Sequence, residues 1–280
     1  MAVSTPVAFP GGLPEAVTFD YWDTLVCVGV SGARDARRHA LAAVLGELAG
    51  EGKLASAGIA SGAGDATFDE RLDDALDGAF GAYTNAWHAN RQFTGEDGAL
   101  FVLGALGVDL APADAQRVVT AYVRSAAGLA PKLTPGVAAT LRTLANAGVR
   151  LGIVCDVGMT PSDILRDYLD GHGLLGLFHH WSFSDEVGVY KPDPAIFRHA
   201  LDGLGGVDPG RAAHVGDLRR TDVAGARAVG LATVRYAGRN DDRATPPEGG
   251  PEAGAGVVAP DADVVIHHHD ELPAVLGLTP

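Results

Sequence analysis

Cysteine is scarce, positive charge is in deficit, and long apolar runs are missing from this sequence. Cys27 and Cys155 are the only cysteines, too few for a disulfide framework. Lysine and arginine number 21 against 35 acidic residues, for a formal net charge of -14. A field of that sign repels phosphate backbones and anionic lipid, so no nucleic acid and no membrane surface is expected as a partner. An anionic substrate would need a local cation or metal. No stretch reaches the roughly 18 uninterrupted apolar residues of a membrane span. The opening MAVSTPVAFPGGLP has neither the basic region nor the continuous apolar core of a secretory signal. These absences predict a cytoplasmic enzyme or binding protein and leave the oligomeric state open. A chain of 280 residues can bury a full core, as one large domain or as a core with a smaller companion.

After about residue 133, strand-like and helix-like segments alternate, the pattern of a parallel sheet covered by helices. AVTFD (16–20), RLGIVCD (150–156), WSFSD (181–185), AAHVGD (212–217), LATVRY (231–236) and DADVVI (261–266) read as strands. GVAATLRTLANAG, PAIFRHALDGLG and TDVAGARAVG read as helices, the last with Thr221 as its cap. Residues 31–132 have another texture. Apolar positions recur there at helical spacing with almost no strand signal, which predicts an all-helical insertion. Two stretches rich in Gly, Ala, Ser or Pro, 51–65 and 237–260, read as a mobile connection and a flexible loop.

The chemistry lies in where the acidic residues fall. Asp20, Asp156, Asp185 and Asp217 each end a predicted strand, at the edge where open parallel sheets assemble ligand sites. A single aspartate there is accounted for by turn chemistry; four at one edge, with Lys191 in SDEVGVYKPDP, call for more. A carboxylate such as Asp20 attacks phosphorus only if its repulsion from a phosphate dianion is neutralised. Magnesium suits that task, since it takes oxygen ligands from one or two carboxylates and leaves places for water and substrate.

On these residues the chain resembles the haloacid dehalogenase-like hydrolase superfamily over nearly its whole length. The first motif is matched by Asp20 with Thr24 four residues on, the third by Lys191, and the fourth by GDLRRTD with Asp217 and Asp222. The resemblance implies an α/β fold: a doubly wound, Rossmann-like parallel-sheet core of residues 1–30 and 133–280, with residues 31–132 as a helical cap. It implies Asp20 as nucleophile and Mg2+ held by Asp20, Asp217 and the backbone carbonyl of Trp22. Lys191 would supply charge to the phosphoryl group and to Asp20, and Asp222 would hold either metal-bound water or Lys191. Thr24 and Trp22 would line the substrate.

Two positions depart from the family pattern. Phosphatases of the superfamily carry an acid two residues after the nucleophile; here that residue is Trp22, whose indole has no titratable proton near neutral pH. Asp23 follows one position late. It substitutes as acid and base if the turn is unusual, and is otherwise a solvated or capping carboxylate. Where the second motif has Ser or Thr, this chain has Cys155, followed by Asp156. Cys155 either contacts substrate as a weak donor or is a small buried hydrophobe. In the latter case Thr160 or the backbone nitrogen of Asp156 would take the contact.

The leading expectation is an Mg2+-dependent hydrolase or phosphotransferase acting on a small phosphorylated metabolite through an aspartyl-phosphate at Asp20. The alternatives are a 2-haloacid dehalogenase-like hydrolase, whose leaving halide needs no proton, and a non-catalytic binding protein of the same fold. Elsewhere, IHHHDE (266–271) reads as a solvated loop rather than a transition-metal site, and HGLLGLFHHW as a helix end with its turn. Trp87, His88, Asn90 and Arg91 lie within about one helical turn and either face substrate or pack against a neighbouring helix.

Overall fold

A computed structural model describes residues 7–27, 30–57, 59, 66–242 and 261–278. Its strands are β1 (Ala16–Phe19), β2 (Val26–Cys27), β3 (Lys132–Leu133), β4 (Arg150–Cys155), β5 (Phe178–Phe183), β6 (Ala212–Gly216), β7 (Ala232–Tyr236) and β8 (Val264–Ile266). Its helices are α1 (Val30–Gly50), α2 (Ala66–His88), α3 (Gly95–Leu106), α4 (Pro112–Arg124), α5 (Val137–Asn146), α6 (Ser162–Gly171), α7 (Ser184–Val187), α8 (Pro194–Gly203), α9 (Ala224–Ala228) and α10 (Leu272–Val275).

Six strands form one parallel sheet in the order β5-β4-β1-β6-β7-β8. β1 is central: all four of its residues are buried, as expected of a parallel strand covered on both faces, where apolar runs are continuous rather than alternating. The chain passes from β4 to β5 on one side of β1 and then returns to the other side for β6, β7 and β8. Such a reversal of strand order opens a crevice at the carboxyl ends of the strands. α8 and α9 are fastened to the sheet by Ile196, Phe197, Ala200, Leu201 and Ala226, which pack with Ala16, Val154 and Ala212.

The chain divides into two compact units. One comprises Met1–Cys27, Pro131–Asp156 and Leu169–Pro280, the other Val28–Ala130 and Val157–Tyr168. At the stem of the insertion β2 and β3 pair antiparallel, with Val26 opposite Leu133 and Cys27 opposite Lys132. The second unit has its own apolar core, built from Leu41, Leu45, Leu72, Val102, Val118 and Tyr122 of α1 to α4 together with Met159. α3 starts at a capping box in which Thr94 and Asp97 satisfy each other's backbone donors.

Several local expectations are corrected. Of the stretch 51–65, positions 58 and 60–65 lie outside the described residues; in the described part, read as belonging to a mobile connection, Leu54 and Ile59 are buried in the helical core. Most of 237–260 likewise lies outside the described residues. HGLLGLFHHW is no helix end throughout: its last residues enter β5, because Phe178 and the segment to Phe183 pair with β4. Thr221 does not cap a helix. It sits buried inside a single π turn, Arg219–Val223, that precedes α9.

Candidate active site

Asp20 follows β1 directly, and its backbone N–H donates to Val215 O at 2.8 Å, extending the β1-β6 ladder by one residue. The chain then turns sharply. Leu25 N and Val26 N both donate to Tyr21 O, Asp23 N donates to Val26 O at 2.7 Å, and Asp23 adopts a left-handed φ of 55°. The turn is clamped from outside, since Thr24 O accepts from His269 Nε2 at 2.9 Å and from Thr134 Oγ1 at 2.6 Å.

Around the Asp20 carboxylate the structure gathers three further predicted residues. Lys191 Nζ lies 2.5 Å from Asp20 Oδ1 and 2.7 Å from Asp222 Oδ1. All three side chains are buried. Asp222 Oδ1 also meets His214 Nε2 at 3.1 Å, while its Oδ2 accepts from Leu218 N at 3.0 Å and from Thr221 Oγ1 at 3.3 Å. Asp222 therefore holds Lys191, one of the two roles the sequence left open for it. Lys191 is also fixed through its backbone, whose N–H donates to Asp156 Oδ1 at 2.8 Å.

The charges respond to this packing. Burial opposes the Lys191 charge, but Asp20 and Asp222 outweigh it and hold the ammonium well above its ordinary value. Burial likewise opposes ionisation of Asp222, yet Lys191 and His214 keep it below the usual carboxylate range. Asp20 goes the other way, pushed up to about 7 by burial, with Asp222 adding to the rise and Lys191 opposing it. Asp217, also buried, is raised well above the ordinary value by burial and then by the charges of Asp20, Asp222 and Asp23.

Carboxylate oxygens of Asp20, Asp217 and Asp222 lie within 4.8 Å of one another, the one cluster of metal-ligating groups among the described residues. Asp222 is already committed on both oxygens and Asp20 on Oδ1 alone, which leaves Asp20 Oδ2 and the Asp217 carboxylate as ligand atoms. An oxygen-only pair of buried carboxylates, both raised by burial and Asp217 further by the Asp20 charge, fits a hard divalent cation, because the ion would offset the burial and the repulsion.

The remaining predicted residues are placed as follows. Trp22 is half-buried, edge-on to the Tyr21 ring at 5.1 Å. The Asp23 side chain is 45% exposed and 3.6 Å from Arg239 Nε. Thr24 is buried, and its hydroxyl has no hydrogen-bond partner among the described residues. Cys155 ends β4 fully buried, and burial followed by the Asp20 charge pushes its thiol well above the ordinary value; it is a neutral thiol, not a nucleophile. Thr160 belongs to the second unit and accepts from Arg37 Nη2 at 3.1 Å. In that unit Trp87 stands edge-on to His88, while Asn90 and Arg91 are exposed.

Sequence reasoning missed three contributors. His214 and Thr18 sit opposite each other in the β1-β6 register and are joined, Nδ1 to Oγ1, at 2.9 Å. The signal for them was present: each is the polar residue in an otherwise apolar strand that leads into a predicted site aspartate. His269 corrects the reading of IHHHDE as solvated throughout. It is fully buried, stacked on Tyr236 at 4.2 Å, and burial pushes its pKa down to about 4. His267 and His268 are exposed.

Comparison with known proteins gives a consistent picture. The model of the haloacid dehalogenase-like hydrolases matches residues 14–230. The chain is similar to haloacid dehalogenase-like hydrolase domain-containing protein 3 of Bos taurus, 40% identical over 103 residues that cover 37% of this chain and 39% of that one. The chain spans about two fifths of the length of the curated relatives it matches. Among solved structures it is similar to a HAD phosphatase from Thermococcus onnurineus, at 27% identity and a TM-score of 0.54, over 94% of this chain and 98% of that one. It is also similar to a 2-haloacid dehalogenase from Pseudomonas syringae pv. Tomato DC3000, at 25% identity and a TM-score of 0.59, with the same coverage.

Proposed function

The chain belongs to the haloacid dehalogenase-like hydrolase family, and from that premise we propose that it is a magnesium-dependent phosphohydrolase of a small phosphorylated metabolite, with Asp20 as nucleophile. The observation that carries this reading is the buried pair of Asp20 and Asp217, whose oxygens lie within 4.8 Å. A metal-free reaction has no use for the second carboxylate, which only repels an anionic substrate.

Asp20 and Asp217 would hold the ion, with the Trp22 backbone carbonyl joining them by resemblance to the family. Bound there, magnesium would neutralise charge on the phosphoryl group as Asp20 approaches it. An Asp20 oxygen forms a bond to phosphorus while the bond to the leaving oxygen breaks; water then attacks the aspartyl-phosphate and frees Asp20. Lys191 supplies a fixed positive charge beside the reacting carboxylate, set in place by Asp222 and Asp156. The orphaned Thr24 hydroxyl is a donor for a substrate oxygen. Residues 31–132, the expected cap, would determine which metabolite enters.

One observation favours a second reading. Trp22 stands where an acid would protonate a leaving alcohol, and a halide needs no such proton, so hydrolysis of a 2-haloacid is the alternative. A screen of phosphate esters, acyl phosphates and 2-haloacids, with magnesium or with chelator, separates the two. Phosphate release that stops in chelator and returns with magnesium is the expected result; halide release in chelator would overturn the proposal.

A further inference from the structure

We propose that His214 is a positioning residue of this site: with its ring fixed by Thr18, it holds Asp222 through Nε2–H and so keeps Lys191 beside Asp20. This rests on the phosphohydrolase reading and adds to it a residue that never touches substrate.

The ring can serve only one way round. His214 is buried, and burial lowers its pKa despite the Asp222 contact, so the imidazole is neutral and carries one N–H. Its Nε2 faces Asp222 Oδ1 at 3.1 Å. Asp222, kept ionised by Lys191 and His214 against its burial, can only accept, so the proton is on Nε2. Nδ1 is then an acceptor, and the Thr18 hydroxyl 2.9 Å away is its donor. Thr18 has Ala213 O as a second possible acceptor at 3.3 Å, but that contact is longer and would leave Nδ1 facing an oxygen lone pair. The Phe197 ring packs edge-on against the imidazole at 5.1 Å, nearly perpendicular.

The consequence falls on Lys191. A lysine ammonium is a point charge on a flexible stem, and what aims it here is Asp222 Oδ1 at 2.7 Å. With Nε2–H in place, Asp222 accepts from His214 and Lys191 on one oxygen and from Leu218 N on the other, which fixes the carboxylate plane. Without it, Oδ1 loses a charge-assisted bond, the carboxylate can turn, and Lys191 drifts from Asp20. The chain Thr18–His214–Asp222–Lys191–Asp20 thus runs from β1 through β6 and back to the residue that follows β1.

The test uses the full-length protein with magnesium and p-nitrophenyl phosphate. His214→Leu is expected to lower kcat roughly ten- to hundred-fold with KM little changed, the range for one hydrogen bond to a charged group. His214→Gln, whose amide carries one donor and one acceptor, should recover most of the loss, and Thr18→Val should give an intermediate one. Thermal unfolding of each variant reports folding; if His214→Leu does not fold, Gln and Val decide. Nitrogen-15 spectra of the wild-type histidines, which need no turnover, should show His214 protonated on Nε2 alone near neutral pH. Wild-type kcat in His214→Leu, a glutamine variant no better than a folded leucine variant, or a ring protonated on Nδ1 would each overturn the inference. Absence of turnover in the wild type would instead sink the phosphohydrolase reading, and the positioning role of His214 in that reaction with it.

Discussion

Asp222 holds the ammonium of Lys191 at 2.7 Å, and that ammonium lies 2.5 Å from Asp20 Oδ1. One buried cation thus stands between two carboxylates of opposite tendency, Asp222 held low in pKa and Asp20 raised to about 7. Asp222 thus holds Lys191 beside Asp20.

Removal of Lys191 should therefore do more than stop catalysis. Lys191→Met leaves two buried carboxylates without their cation, and breaking a buried pair in this way destabilises by about 3–5 kcal/mol. Denaturant unfolding in chelator measures it. A loss under about 1 kcal/mol, the value of an exposed pair, would show that Lys191 does not hold the site together.

Gly216 admits Asp222 to its place. A Cβ built on Gly216 would fall 2.3 Å from Asp222 Cγ, so Gly216→Ala must displace that carboxylate. The substitution should lower kcat at least about tenfold, a loss of roughly 1.4 kcal/mol in transition-state stabilisation. Magnesium affinity, which the proposed function assigns to Asp20 and Asp217, should change little. An alanine variant with wild-type kcat would mean that the placing of Asp222 is not critical.

The frame and its acidic edge were legible in the sequence for a physical reason. Buried parallel strands are continuous apolar runs, so Asp20 after AVTF and Asp217 after AAHVG stand out as abrupt ends. What the sequence hid depends on pairing across the sheet. That Thr18 faces His214 follows from the β1-β6 register, and no local pattern specifies a register between strands nearly two hundred residues apart. The burial of His269 was hidden likewise, because it depends on the Tyr236 ring and the Thr24 carbonyl. The turn after Asp20 was legible only in outline, because no local pattern specifies the left-handed φ of Asp23.

Magnesium binding should weaken in acid. Between the ordinary carboxylate value of 3.8 and about 7, the metal-free folded chain keeps a proton on Asp20 that the unfolded chain has released, so stability falls as pH rises through that window. Asp217, raised in the same direction, steepens the fall. Asp222 is lowered, so its contribution is complete above 3.8 and constant across the window. An ion at Asp20 and Asp217 must displace those protons. The rise in Tm on adding magnesium should be larger near about pH 8 than near about pH 5.5. Equal shifts at the two would place the ion elsewhere.

Trp22 and Asp23 make opposite predictions. If the acid is absent, Trp22→Asp should speed steady-state hydrolysis of a simple ester by as much as roughly a hundred-fold, the lower range for general acid-base catalysis. Asp23→Asn should then act weakly, as fits a carboxylate that is 45% exposed and 3.6 Å from Arg239. Loss of all activity in Asp23→Asn, with no gain from Trp22→Asp, would make Asp23 the displaced acid.

The central claim is a covalent phosphoryl group on Asp20, and intact mass with peptide mapping after rapid quench of a p-nitrophenyl phosphate reaction tests it most directly. With no base at Trp22 to activate water, the adduct should accumulate on Asp20 in magnesium, after a burst of product, and be absent in chelator and in Asp20→Asn. Steady turnover with no phosphoryl group on Asp20 at any time, or full turnover in chelator, would contradict the account.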